Sequence, residues 1–164
     1  MGLGVSYALH HPPALSPGRL SGLLLHSLAI VTEEEAAYPF LASATRSGKE
    51  YAWPLADIPS IVDAAEAAGL ANLGGQPQFL YPDGTCEPYW IEVGSEEQRK
   101  GEAWPDYVRR SAAEVRAAFE RVQSGTDFEA EARHWDFLAA KLDRGEDVLP
   151  HLRFVLYFAS DPAV

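Results

Sequence analysis

An α+β fold is predicted, with a largely antiparallel sheet, a C-terminal αα-hairpin packed on one face and a closing C-terminal strand. Three observations carry this. Strand-like runs and a Pro-Asp-Gly turn occupy the chain before residue 94, two helical stretches meet at Ser124-Gly125, and residues 151–159 form one last apolar run. The 164 residues suit a single domain spanning 1–164, and a domain of that size buries about 70% of its unfolded surface. Hydrophobic residues make up 47% and charged residues 23%, ordinary globular usage that argues against long disordered tracts.

The strands come first. Residues 5–9 and 23–31 have strand character on either side of a proline-rich loop that begins at His10-His11, and "AYPFLAS" at 37–43 extends the second strand. A helix follows at 57–70, where Ser60 and Asp63 have the spacing of a capping box and Gly69 suits a C-cap. Gly74-Gly75 then reads as a turn from helix to strand. Residues 78–81 and 86–93 flank Pro82-Asp83-Gly84, a sequence suited to a three-residue hairpin loop with Tyr81 opposite Thr85 and Phe79 opposite Glu87. Pro88 cannot donate to a ladder, so the second of these strands lies at an edge or carries a bulge.

The later elements are helical. From Pro105, the residues Tyr107, Val108, Ala112, Val115, Phe119 and Val122 trace one apolar helix face. Thr126 and Glu129 have capping-box spacing ahead of a second helix that carries Phe128, Ala132, Trp135, Leu138 and Leu142 and stops at Gly145. On the first helix, Arg110 with Glu114 and Arg116 with Glu120 have the i,i+4 spacing of exposed ion pairs. The final run offers apolar side chains to both faces, the pattern of a central strand.

Charge narrows the function classes. The net charge of −11 opposes binding to a phosphate backbone and suits a basic protein partner. Residues 1–93 carry ten acidic side chains against three basic ones. The longest apolar run, at 23–31, is too short to cross a membrane. Met1, Gly2 and Ser6 fit an acylation pattern but have no polybasic neighbour to supply a second anchoring signal. A single cysteine makes no internal disulfide, and a cytoplasmic location is expected. A homo-oligomer is compatible with the composition.

No catalytic constellation emerges, and no cofactor or metal is expected. Cys86 lies beside Glu87 without a neighbouring base to favour a thiolate. The five histidines show no ligand pair at helical spacing, and Gly74-Gly75 lacks the lysine of a phosphate loop. The expected function is therefore a non-catalytic protein-binding domain, one form of which is an immunity- or antitoxin-type inhibitor of a basic toxin. Its candidate contact residues are Phe79, Tyr81, Glu87, Tyr89, Trp90 and Glu92, because Trp and Tyr are favoured at interfaces. The alternative is a small enzyme or ligand-binding domain with a pocket between sheet and helix hairpin, for which His26, Cys86 and the Tyr81 and Tyr89 hydroxyls are the groups to locate.

Overall fold

The computed structural model describes residues 38–82 and 84–163. They belong to one compact unit, Val31–Val164. The expected strands at 5–9 and 23–31, the proline-rich loop, the Glu33-Glu34-Glu35 run and His10, His11 and His26 lie outside the described residues, as does Asp83.

Among the described residues, six strands form one antiparallel sheet: β1 (Thr45–Ser47), β2 (Glu50–Trp53), β3 (Ala71–Tyr81), β4 (Gly84–Cys86), β5 (Val93–Gly94) and β6 (Leu152–Ala159). Their order is β1-β2-β6-β3-β4, and β5 also pairs with β3. The closing strand β6 runs between β2 and β3, so the doubly apolar pattern of residues 152–158 marks an interior strand. Among the described residues, four α-helices accompany the sheet: α1 (Ile58–Ala67), α2 (Trp104–Gly125), α3 (Phe128–Ala132) and α4 (Asp136–Asp143).

The helices cover one sheet face. Ile58, Ile61 and Val62 of α1 and Ala112, Val115 and Phe119 of α2 bury Trp53, Phe154 and Leu156. Phe128, Ala132 and Leu138 of α3 and α4, with Val148, bury Phe79 and Leu152. Each such large apolar side chain contributes about 1.5–3 kcal/mol on burial.

Gly74-Gly75 is not a turn. Both glycines sit inside β3, beside a register shift against β6 between Asn72 and Gly74. A Cβ on Gly75 would stand 1.7 Å from the Val155 carbonyl oxygen, and one on Gly74, whose φ is +110°, would stand 2.0 Å from that of Val93. Close backbone approach on both edges of β3 therefore requires glycine at these two positions. At the irregularity the Asn72 amide donates to Ser111 Oγ at 3.0 Å, and Ser95 Oγ donates to the Asn72 carbonyl at 2.7 Å. Side chains from α2 and the loop after β5 thus satisfy backbone groups there.

Several local expectations shift. The hairpin register is one residue off: Tyr81 faces Gly84, Leu80 faces Thr85 and Phe79 faces Cys86. That slip puts Phe79 and Cys86 on the same face, where both join the core beneath α3 and α4. The strand expected at 86–93 survives only as β4 and β5. Between them Tyr89 N donates to Glu87 O at 2.8 Å and Ile91 N to Pro88 O at 2.9 Å, a tight turn that begins where Pro88 ends the ladder. Residues 39–43 form a 3-10 turn, not a strand, with Pro39 in its first turn and Ser43 Oγ accepting the Trp53 indole N–H at 3.1 Å.

Helix starts move as well. Helix α1 begins at Ile58 with Pro59 in its first turn, ahead of the expected capping box, and Ser60 Oγ donates back to the Asp57 carbonyl at 2.8 Å. Asp127, one residue beyond Thr126, caps α3 by accepting the Ala130 amide at 3.0 Å, a contact worth about 1 kcal/mol. The second limb of the helix hairpin is broken at residues 133–135 into α3 and α4, with Trp135 in extended conformation at the break.

The ion pairs tie elements together. Arg110 forks onto Glu102 with Nε and Nη2 each 2.8 Å from a carboxylate oxygen, and also reaches Glu114 at 3.0 Å. It donates as well to the carbonyls of Glu96 and Glu97, so one side chain pins the loop after β5 onto α2. Arg116 does not pair with Glu120 as its spacing suggested; it crosses to Asp63 at 2.7 Å and to Glu66 on α1.

Two outcomes follow from these contacts. Gly75→Ala is expected to cost about 3 kcal/mol or more because backbone must move, whereas Gly125→Ala, with nothing within 4 Å of its Cβ, should stay within about 0.5 kcal/mol. Urea unfolding of both variants checks this. The Arg110 hydrogen bond, with help from the Arg99 amide, holds the Glu102 carboxyl down to about 2 from an ordinary 4.5. Its stabilisation is therefore complete above about pH 4.5 and lost as pH falls toward 2. Glu102→Gln should lower the urea midpoint at neutral pH, and the difference from wild type should close on acidification.

Candidate interaction surface

The turn at 87–92 and the α3–α4 break meet over the far end of β3. Phe79, fully buried there, touches Trp135 edge-on with ring centres 6.4 Å apart. Trp135 stacks on Trp90 at 5.5 Å with planes 15° apart, and Trp90 meets Tyr89 edge-to-face at 5.1 Å. The result is an aromatic ladder from core to solvent, on which Trp90 is 45% and Tyr89 69% exposed. The Trp90 indole N–H donates to Glu131 Oε2 at 2.8 Å, and the His134 ring lies 5.0 Å from Trp90. Each ring pair adds about 0.5–1.5 kcal/mol beyond its buried area.

A second aromatic group adjoins β4. Tyr81 stacks on His151 at 4.0 Å and meets Phe137 edge-on at 5.2 Å, while Lys141 Nζ lies 5.1 Å from the Tyr81 ring centre and 5.0 Å from that of Phe137. Burial first, then the Glu146 charge, raises the Tyr81 hydroxyl pKa, so it remains a neutral donor.

The six residues singled out from sequence therefore separate. Tyr89 and Trp90 share one exposed surface, Phe79 lies in the core beneath it, and Tyr81 belongs to the neighbouring stack. Glu87 and Glu92 are exposed on the same 87–92 turn. Sequence reading missed Glu131, His134 and Trp135 as members of the surface: Trp135 fits a helical core stripe, and nothing in the local pattern signals the break that turns it toward Trp90.

Electrostatics around the ladder are one-sided. Residues 127–147 carry seven carboxylates and three Lys or Arg cations. All three cations are consumed internally: Arg133 on Asp143 at 2.9 Å, and Lys141 and Arg144 on Glu146 at 3.1 and 2.7 Å. Those bonds lower the Glu146 pKa, Arg144 being the larger cause. Glu129 and Asp136 have no Lys or Arg partner among the described residues.

Two further concave sites among the described residues do not converge on a reactive group. A cleft of about 480 Å³ along the α1–α2 seam holds Asp63, Glu66 and Arg116, already bonded to one another. Cys86 borders a hollow of about 140 Å³ with Gly84, Thr85 and Phe137, and burial pushes its thiol up, away from thiolate chemistry. On the sheet face opposite α1–α4, Glu50 accepts from Tyr157 OH at 2.5 Å and from Gln78 Nε2 at 3.0 Å. Burial and that bond raise the Tyr157 pKa, so the phenol is held protonated. Among the described residues, no three His, Cys, Asp or Glu side chains are grouped to hold a metal ion, and no helix is long and apolar enough to cross a membrane.

The chain matches no family model, no curated protein and no solved structure.

The Cys86 thiol should react slowly with a disulfide reagent at neutral pH. Its rate–pH profile should have a midpoint above that of a small free thiol; a midpoint at or below it would restore Cys86 as a candidate nucleophile.

Proposed function

We propose that this protein is a non-catalytic binding domain that takes a basic protein partner on the Tyr89–Trp90–Trp135 surface. The observation that supports this most is an exposed Trp-Tyr pair held rigidly on a core aromatic, within a lobe whose own cations are all spent on its own carboxylates. Aromatic anchors of this kind dominate binding energy at protein interfaces, and unpaired surface carboxylates steer a cationic partner during encounter. A basic toxin held by an acidic inhibitor is one pairing with these surface properties.

The alternative of a small enzyme requires convergent polar groups with perturbed pKa values in a ligand-sized cavity. Cys86 and Tyr81 do not converge on such a cavity: the hollow beside Cys86 is only about 140 Å³ and Tyr81 does not line it, and burial holds both groups protonated.

Affinity capture with the full chain tests the proposal. The recovered partner should be basic, its complex should weaken as salt rises, and Trp90→Ala or Tyr89→Ala should reduce affinity about tenfold or more. A complex indifferent to both substitutions would overturn this assignment of the surface.

A further inference from the structure

Four aromatic rings of the described residues, two buried and two partly open, lie under the chain's own cations. Arg46 lies over Tyr51 at 5.1 Å, Arg110 over Tyr107 at 5.3 Å, and Lys141 over both Tyr81 and Phe137. Among the described residues, no cation lies over Tyr89, Trp90 or Trp135, although Tyr89 is the most exposed large ring of those residues. A ring face with no cation of its own, in a lobe with surplus carboxylates, is a vacant cation–π position by the same chemistry.

Its surroundings specify the cation further. Trp90 is held from two sides, by the Trp135 stack and by the indole N–H on Glu131 Oε2. That bond sets a carboxylate at the edge of the ring and engages one of its two oxygens. Glu131 is itself part of the helix-break region, where its carbonyl lies 2.9 Å from His134 Nδ1. A planar cation lying on the Trp90–Tyr89 surface can therefore stack with its face and donate from its edge to Glu131 Oε1. Guanidinium does both at once, because it is flat, weakly hydrated and carries N–H groups in its plane. An ammonium is a compact, strongly hydrated point charge that can satisfy only one of the two contacts well.

We infer that Tyr89, Trp90 and Glu131 form a subsite for an arginine side chain of the partner, an inference that rests on the binding role proposed above. The side chain would lay its guanidinium on the exposed aromatic surface and donate an N–H to Glu131. Because Trp90 is already pinned, little of its own freedom is lost when the arginine docks.

The test uses the full chain and three blocked peptides of the same length: an arginine-glycine repeat, its lysine counterpart and its glutamine counterpart. The arginine peptide should shift the Trp90 indole N–H resonance, assigned by its loss in Trp90→Phe, and bind at least about tenfold more tightly than the lysine peptide. Glu131→Gln keeps an oxygen acceptor for the indole N–H while removing the charge, so it should bring arginine affinity down toward that of lysine with the ladder intact. Equal affinity for arginine and lysine, or no effect of Glu131→Gln, overturns the guanidinium subsite. A Trp90 resonance unmoved by any peptide also overturns it, while a captured partner that still depends on Trp90 would keep the broader binding role. Loss of that dependence removes both.

Discussion

The pairing of β3 with β6 is the contact on which the other elements depend. It runs from Ala71 opposite Ala159 to Phe79 opposite Leu152, and it is the longest strand pairing among the described residues. Gly75 permits it, since any side chain would enter the Val155 carbonyl. The same pair of glycines lets β5 approach the opposite edge of β3, and β5 anchors the loop that Arg110 clamps to α2. Two bare α-carbons thus link the sheet to the long helix, a constraint of backbone distance and not of side-chain packing.

The aromatic surface is a consequence of that pairing. Phe79 and Leu152 end the β3–β6 ladder together and enter the same core cluster as Phe128 and Leu138. Trp135 lies on Phe79, and Trp90 lies on Trp135, so the position of an exposed ring is set by a strand register three contacts away. A register slip of one residue would turn Phe79 to the other face and remove the floor of the ladder.

Much of the fold was legible because its signals are local. The α2 face from Tyr107 to Phe119, the Gly69 C-cap and the span of β6 follow from 3.6-residue and two-residue periodicity and from glycine chemistry. What was not legible depended on contacts distant in sequence. The Gly74-Gly75 pair reads as a turn until Val155 and Val93 are brought beside it. Arg116 has a plausible partner in Glu120, yet two carboxylates on α1 hold it instead. The hairpin register hung on one residue of loop length, and the helix break at 133–135 has no proline or glycine to announce it. At the candidate surface, Tyr89 and Trp90 were visible as interface residue types, whereas Glu131 and Trp135 joined them only through the break.

The lobe also shows why rigidity matters more here than exposure. Tyr81 and Phe137 are partly open to solvent too, but Lys141 lies against both rings, and a partner's cation would have to displace it. Among the described residues, no Lys or Arg lies against Tyr89 or Trp90. Stacking and the indole hydrogen bond stabilise Trp90 by about 1 kcal/mol each, and both act from its inner side and its edge. They fix the ring without covering its outer surface. A freely rotating exposed tryptophan would lose about 0.5–1.5 kcal/mol of side-chain freedom on binding, a cost that folding of this chain has already met. The dependence runs outward through contacts: the sheet positions Phe79, Trp135 lies on Phe79 and Trp90 lies on Trp135, so the exposed aromatic surface is set by the fold itself.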